Sequence, residues 1–492
     1  MAVTSHAETE RKYEAAADTK LPKWSDIPGV ADVHGPRSEH LSAVYFDTAD
    51  QRLARYGATL RRRTGGEDAG WHLKVPAGED SRTELRLPLD DDPSGATNAP
   101  PEELVGLTLA MTRGAVLRPI AQLKTSRRVW ELAGDDGGPV AEVTDDRVSA
   151  TRLDGSSNVE EWRELEVEVA GPGAAGVLAG AEKVLRKAGI RRAAHSSKVA
   201  RVVPPPAVAV PAADGTAGDA VLAYVGAQFA ELVAQDLLVR RDAPDAVHQM
   251  RVAARRLRAV LRVYRRLLPG TERMSTDLRW LGRRLADARD LEVLEEHLRA
   301  AVAALPSELV VGPVSGRLTR HFSPAAAAAR EVVTDTLADQ RYRGMLDDLA
   351  GLLAEPDLGP RAAKRAAKEL PKHLRRAYRK TKRRLSDDTP HRARKAAKRY
   401  RYALEAAEPA LGRAAKEARK RAKDLTKVLG EHQDGTVAQP VLRDLGMQAH
   451  MAGENGFTYG LLLERERARC ARVEEVYPAY WRRLTEARPW NA

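Results

Sequence analysis

Residues 8–12 of the chain read Glu-Thr-Glu-Arg-Lys. Side chains on a strand alternate between faces, so Glu8, Glu10 and Lys12 share one side and Thr9 and Arg11 take the other. Two carboxylates beside an ammonium suit a hard divalent cation such as Mg2+ next to an anion. Charges recur at the same two-residue spacing further on. They are Arg61 and Arg63, Lys74, Arg82 with Glu84 and Arg86, Arg127, Glu142 and Asp146, Glu164 with Glu166 and Glu168, and Lys198. The acidic residues gather on some of these runs and the basic residues on others. That segregation fits a metal-dependent phosphate site, where carboxylates supply oxygen ligands and Arg and Lys neutralise phosphoryl oxygens. A solvated face is the ordinary fate of charges on one sheet. Repetition of a mixed-charge face over six or seven strands points instead to a shared interior, as in a closed barrel.

The elements that must position these residues follow from periodicity. LSAVYFDT, TLRRRT, GWHLKVP, RTELRLPL, RRVWEL, PVAEVTDDRV and WRELEVEVAG alternate and are separated by Gly, Asp and Pro clusters, which predicts antiparallel strands. On the opposite parity Leu85, Leu87, Val143, Leu165 and Val167 require apolar cover. Helices are expected near 101–112 and 173–188. The stretch VVPPPAVAVPAADGTAG begins at Val202 and cannot sustain a helix, so residues 202–217 are expected to be an extended connector between domains at 1–201 and 218–492. Beyond it the pattern changes to long Ala/Leu/Arg helices.

Those helices repeat. HQMRVAARRLRAVL, from His248, aligns with HRARKAAKRYRYAL, from His391, at an offset of 143 residues, and LADARD matches LGEHQD at nearly the same offset. An internal duplication is the simplest reading. His248, Arg251, Arg255 and Arg258 form one stripe of a 3.6-residue helix, and His391, Arg394, Lys398 and Arg401 repeat it. Leu257, Leu261, Tyr264 and Leu268 lie well away from the first stripe. Arg375, Arg379 and Lys382 form a further basic stripe, and His432 stands in the second LGEHQD motif opposite Ala288. Charge is divided accordingly. Residues 1–201 carry 28 Lys+Arg against 32 Asp+Glu, and the remainder carries 53 against 37, or +16. The second half is therefore expected to bind an anion.

At this point the first half resembles a known family. Glu8-Thr9-Glu10-Arg11-Lys12 is similar to the ExExK signature of the CYTH superfamily, the triphosphate tunnel metalloenzymes. YFDT, GATLRRR, HLKVP, RTELRLPL, EVTDDRV, ELEVEV and SKVAR follow in order over 1–201. The resemblance implies an eight-stranded antiparallel barrel that binds a linear triphosphate. Glu8 and Glu10 would hold Mg2+ or Mn2+ with members of the Glu164, Glu166 and Glu168 triplet. Glu142 and Asp146 are further candidate ligands. Lys12, Arg61, Arg63, Lys74, Arg82, Glu84, Arg86, Arg127 and Lys198 would form the phosphate side, with Glu8, Glu10 and Lys12 closest to the chemistry. His72 shares the parity of Lys74, but a structural or solvated role is expected for it. The second half resembles the CHAD family of helical domains, through HQMRVAARRLRAVL, WLGRRLADARD, HRARKAAKRYRYALE and VLGEHQD. That resemblance implies two pseudo-symmetric helical bundles binding inorganic polyphosphate. The expected contacts are His248, Arg251, Arg255, Arg258, Arg375, Arg379, His391, Arg394, Lys398, Arg401 and His432.

The expected fold class is thus a multidomain α+β chain, barrel first and helical bundles second. The expected activity is a metal-dependent triphosphatase fused to a polyphosphate-binding domain. The alternatives are a non-catalytic polyphosphate scaffold, or an enzyme acting on a nucleoside or thiamine triphosphate, including an adenylate cyclase. Nucleic acid is disfavoured, because aromatic residues make up only 5% of the chain and are scarce in the basic stripes. One cysteine, Cys470, excludes an internal disulfide framework. No signal peptide or membrane span is expected, which gives a cytoplasmic expectation with polyphosphate granules as a further location.

Overall fold

A computed structural model describes residues 3–78, 80–89, 99–154, 159–171, 175–206, 215–387 and 390–490. The chain divides into two compact units, Met1–Val208 and Ala209–Ala492.

The first unit is built on eight long strands. They are β1 (Thr4–Ala15), β2 (Asp32–Asp47), β3 (Thr59–Thr64), β4 (Gly70–Pro76), β5 (Ser81–Leu87), β6 (Arg118–Ala133), β7 (Pro139–Arg152) and β8 (Val159–Val169). Their order is β5-β4-β3-β2-β6-β7-β8-β1, all antiparallel, and β5 pairs again with β1 to close the barrel. A two-residue β9 (Arg191–Arg192) adds to β1. Closure removes sheet edges and leaves alternate residues facing inward. The turn after β3 needs glycine at Gly65. Its φ is +80°, and a Cβ there would come within 2.2 Å of the His40 carbonyl oxygen.

Because the inward face is charged, the larger apolar core forms outside the barrel. Tyr13, Trp130, Leu132, Val143, Leu165 and Val167 point outward and are covered by Trp24, Ile27 and helix residues Leu178, Ala181 and Leu185. That helix is α4 (Ala175–Lys187), and α1 (Arg52–Arg55), α2 (Glu102–Leu107) and α3 (Leu109–Thr112) precede it, the last two where the sequence predicts a helical interruption. A second cluster fills part of the interior. Val199, Val202 and Val203 pack on Ala43, Leu123, Val148 and Ala150, which share the inward parity of Tyr45, Arg127 and Asp146. α5 (Lys198–Val202) supplies the first two of these valines, so Val202 and Val203, read from sequence as connector, belong to the packing of the barrel. Their side chains are apolar and pack where these inward positions are uncharged.

The second unit contains α6 (Ala217–Arg240), α7 (Ala246–Val263), α8 (Glu272–Arg284), α9 (Ala286–Ala303), α10 (Val314–Ala338), α11 (Gln340–Ala354), α12 (Ala366–Asp387), α13 (Pro390–Met451) and α14 (Phe457–Glu486). A non-helical Gly412 (φ 56°, ψ −134°) breaks α13 into two segments. Thr216, at the end of the expected connector, caps α6 in a capping box with Asp219. α6 is long and apolar enough by composition to cross a membrane, but Val221, Val225, Phe229, Leu232 and Leu237 are buried in the bundle. The repeated motifs occupy corresponding elements, α7 with the first segment of α13 and α9 with the second. Leu294 and Leu298 of α9 and Leu318 and Phe322 of α10 pack against Leu442 and Leu445 of α13 and Tyr459 and Leu462 of α14. Leu257, Leu261, Tyr264 and Leu268 are fully buried, as the apolar stripe of α7 requires.

Candidate functional site

Strand register sets the tunnel. On β1 and β8, Glu10 lies opposite Glu168 and Lys12 opposite Glu166, and on β7 and β8, Glu142 lies opposite Glu168 and Asp146 opposite Glu164. β5 brings Arg82 opposite Glu8, and β4 sets Lys74 opposite Glu84. The result is a cavity of about 770 Å³. Glu8, Glu10, Lys12, Arg61, Arg63, Lys74, Arg82, Arg86, Arg127, Glu142, Glu166, Glu168 and Lys198 all line it.

The charges inside are mutually engaged. Lys74 Nζ donates to Glu8 Oε2 at 2.6 Å, and Lys12 Nζ lies 3.1 Å from Glu10 Oε1 while also pairing with Glu166. Arg127 binds Asp146 in a fork, at 2.8 and 2.7 Å, and reaches Glu166 at 3.2 Å. Lys198 touches Asp146, Glu164 and Glu166 at 3.0, 2.8 and 2.8 Å. Burial acts to raise the Glu166 carboxyl, but Lys12, Lys198 and Arg127 hold it well below the usual range. Burial likewise acts against the charge on Lys198, and its three carboxylates more than offset this. Arg63 is pressed down by burial and by Arg61 and Arg127, despite its contact with Asp68.

Glu168 is the exception among Glu164, Glu166 and Glu168 of β8. Among the described residues no cation pairs with it. Burial and the nearby Glu8, Glu10 and Glu166 push its carboxyl up to about 7, with Lys74 opposing. Glu8 is also raised, by burial first. Among the described residues no three His, Cys, Asp or Glu side chains converge as ready-made metal ligands. The donor set nevertheless fits a divalent cation at the Glu8, Glu10 and Glu168 end, where carboxylates crowd one another and one lacks a counter-ion. Glu164 and Asp146 are buried behind Lys198 and do not line the cavity; Glu142 lines it but lies 3.5 Å from Arg37.

Glu84 is buried beneath the wall, held below the carboxylate range against burial by His72, Lys74 and Arg61. His72 is itself buried, with Nδ1 2.9 Å from Glu84 Oε1 and Nε2 2.9 Å from the Asp68 carbonyl, so it props Glu84. The sequence reading missed Arg37, Glu39 and Tyr45, which line the same cavity. Their signal was there: 37, 39 and 45 share one parity, but Gly35-Pro36 obscured the start of β2.

In the helical unit, His248, Arg251, Arg255 and Arg258 of α7 meet Arg394 and Lys398 of α13 in a cleft of about 900 Å³. Arg279, Arg283 and Arg289 also line it and were not singled out from sequence, because α8 and the start of α9 carry them outside the repeated stripe. Here positive charge is only partly compensated: Arg251 pairs with Asp290 at 3.0 Å and Arg289 with Asp245 and Glu292 at 3.3 Å. Burial and Arg394, Arg255 and Arg401 push Lys398 down to about 6, with Asp434 opposing, and His248 is lowered to about 4 by burial and Arg289.

Four expected contacts do not reach this cleft. Arg401 lies over the Tyr402 ring at 4.6 Å and donates to Thr426 Oγ1 at 3.2 Å. His432 Nε2 lies 2.9 Å from Glu474 Oε1. Arg375 and Arg379 are exposed on α12, whose inward stripe runs instead through His373, Ala377 and Thr381. The repeat halves therefore contribute unequally, because Arg401 has a carboxylate, Glu405, 3.6 Å away. The side chain of His391 lies outside the described residues.

Comparison with known proteins agrees with this division. The CYTH domain family matches residues 6–203 and the CHAD domain family residues 223–443. The Mycobacterium tuberculosis proteins MT2285 and Rv2226 are each 35% identical over 507 residues, covering 98% of this chain and 97% of theirs. Among solved structures, PptA from Streptomyces chartreusis is 22% identical, covers 55% of this chain and 100% of its own, and has a TM-score of 0.46. The CHAD domain from the plant Ricinus communis is 26% identical, covers 56% of this chain and 94% of its own, and has a TM-score of 0.43. The chain belongs to the CYTH family through its barrel and to the CHAD family through its helices.

Proposed function

We propose that the barrel hydrolyses inorganic triphosphate to pyrophosphate and phosphate, and that the helical unit holds inorganic polyphosphate. The observation that carries the first half is the segregated tunnel wall. An acidic end at Glu8, Glu10 and Glu168 adjoins a basic lining of Lys12, Arg61, Arg63, Lys74 and Arg127. CYTH tunnel enzymes use divalent metal ions, and Mg2+ or Mn2+ at Glu8, Glu10 and Glu168 would neutralise phosphoryl oxygens and orient water. Arg61, Arg63 and Arg127 grip the equatorial oxygens and stabilise charge as the terminal P–O bond breaks. Lys12 and Lys198 exchange carboxylate partners for phosphate on binding. Water adds to the terminal phosphorus, its bond to the bridging oxygen breaks so that pyrophosphate leaves carrying that oxygen, and the water protons remain with phosphate and solvent. An inorganic substrate is favoured because Tyr45 is the one Phe, Trp or Tyr among the described residues lining the cavity, and it accepts a hydrogen bond from Arg61 at 3.4 Å. A nucleobase would find only Tyr45, held by Arg61, and the small ring of His6 to stack on there.

The test is phosphate release from triphosphate, ATP, thiamine triphosphate and long-chain polyphosphate, with and without Mg2+ or Mn2+. Metal-dependent turnover fastest on triphosphate is expected, and no turnover of any of the four would overturn the enzymatic reading. Glu10→Ala is expected to abolish turnover and leave polyphosphate binding intact. Binding surviving with every substrate inert would favour a scaffold instead. The same reading gives the protein inorganic phosphate polymers as partners and a cytoplasmic location.

A further inference from the structure

A second basic pocket of about 270 Å³ sits beyond the cleft, between the end of α7, α12 and the start of α13. Arg262, Arg266, Arg376, Lys380 and Arg399 line it. Among the described residues no carboxylate forms an ion pair with any of these five; Arg399 donates only to the Lys395 carbonyl, at 3.2 Å. His373 forms the floor. It is 2% exposed, its Nδ1 lies 3.4 Å from the Val263 carbonyl, and its Nε2 makes no hydrogen bond. Glu369, 3.5 Å from that Nε2, is already neutralised by Lys372 and Arg361. Burial together with Arg399 and Arg262 lowers Lys380, as expected where like charges face each other without a counter-ion.

The internal repeat supplies an independent comparison. At the offset of 143, Arg262 corresponds to Glu405, Arg265 to Glu408, and Arg399 to Arg256. In that related place Arg256 Nε lies 3.3 Å from Glu405 Oε2, Glu405 also accepts from Tyr224 at 2.9 Å, and Glu408 pairs with Arg419. One copy is therefore neutralised within the protein. The other has arginine where its mate has glutamate, and its cations need charge from outside.

The pocket also continues the cleft. His248, Arg251, Arg255, Arg258 and Arg262 follow one face of α7, spanning about 21 Å at 1.5 Å per residue, and Arg266 lies in the turn just beyond it. Arg258 lines the cleft, and after burial the groups that lower its guanidinium include Arg262 and Arg399 of the second pocket.

We propose that Arg262, Arg376, Lys380 and Arg399 form a second, asymmetric anion site, so that the helical unit holds polyphosphate along a track and selects long chains over short ones. This rests on the polyphosphate reading above and adds length selection to it. A short anion satisfies one pocket, whereas a long chain satisfies both and gains the second without a second association step.

The test measures binding of long-chain polyphosphate to the full chain at several salt concentrations, and triphosphate binding as the constant with which triphosphate displaces it, so that triphosphate held in the barrel does not enter the readout. Wild type, Arg262→Glu, Lys380→Gln and the control Arg467→Glu are compared. Arg262→Glu copies the neutralised repeat, and both pocket residues are exposed, so folding should survive and thermal melting checks it. The pocket variants are expected to weaken long-chain binding about tenfold and to lower the salt slope by roughly one per cation removed. Triphosphate binding should change less than twofold, and the Arg467→Glu control, which repeats the charge change elsewhere, should leave both probes alone. Unchanged long-chain affinity, or equal loss on both probes or in the control, would overturn the track. A wild type that binds long chains no tighter than triphosphate overturns length selection alone, and one that binds no polyphosphate at all overturns the reading beneath it too.

Discussion

Single residues carry charge differently in the two units. In the tunnel each cation already has a carboxylate, and Lys198 has three within 3.0 Å. Removing it leaves Asp146, Glu164 and Glu166 buried without compensation. Lys198→Met is therefore expected to destabilise the barrel by about 3–5 kcal/mol, measured as a lower urea midpoint for its transition. In the cleft the balance is reversed. Lys398 sits at about 6 and is mostly neutral at pH 7, because burial, Arg394, Arg255 and Arg401 outweigh Asp434. A bound polyanion raises that value, so binding takes up a proton where free Lys398 is neutral. Affinity should then rise as pH falls from 8 towards 6; below that, further uptake belongs to His248, which sits at about 4 in the same cleft. Calorimetry in buffers of different ionisation enthalpy would detect the proton, and Lys398→Met should remove that uptake; uptake persisting in the variant would refute the assignment. Glu8, Glu10 and Lys12 were legible because parity is local. The isolation of Glu168 was not, since it depends on which strands pair and on where Lys198 reaches from α5.

Elements were legible to the degree that their periodicity was undisturbed. β8 alternates Glu164, Glu166 and Glu168 with Leu165 and Val167, and both faces end up where that alternation requires. The start of β2 was hidden by Gly35 and Pro36, and α5 by its position, since a short helix inside a barrel has no amphipathic signature of its own. α7 shows how one helix serves two purposes. Leu257 is fully buried, so Leu257→Ala should cost about 2–5 kcal/mol. Arg258, one residue on, is lowered to about 10 by burial and by Arg262, Arg279, Arg399 and Arg283. Arg258→Gln relieves that repulsion, so the helical unit should melt no lower, and higher at low salt, while polyphosphate affinity falls. A stability loss comparable to that of Leu257→Ala would show that Arg258 is structural.

At the scale of the molecule, the uneven charge noted in the sequence becomes a difference in how each unit meets salt. The residues after 201 carry +16, and their cleft and second pocket leave cations unpaired among the described residues, so a polyphosphate there displaces condensed counterions. The barrel is nearly balanced, and its ligand exchanges one set of buried ion pairs for another, which salt screens much less. Raising salt from about 50 to 200 mM should therefore weaken long-chain polyphosphate binding at least about tenfold. Over the same range, kcat for triphosphate at fixed free metal should change by less than about threefold. Glu10→Ala isolates the first response by silencing turnover, and Arg255→Ala with Arg394→Ala isolates the second by weakening the cleft. If both measurements fell in parallel with salt, or if the cleft variant lost turnover as steeply as binding, the division of labour between the units would fail. A steep fall in binding beside flat turnover would follow directly from where the sequence puts its unpaired charge.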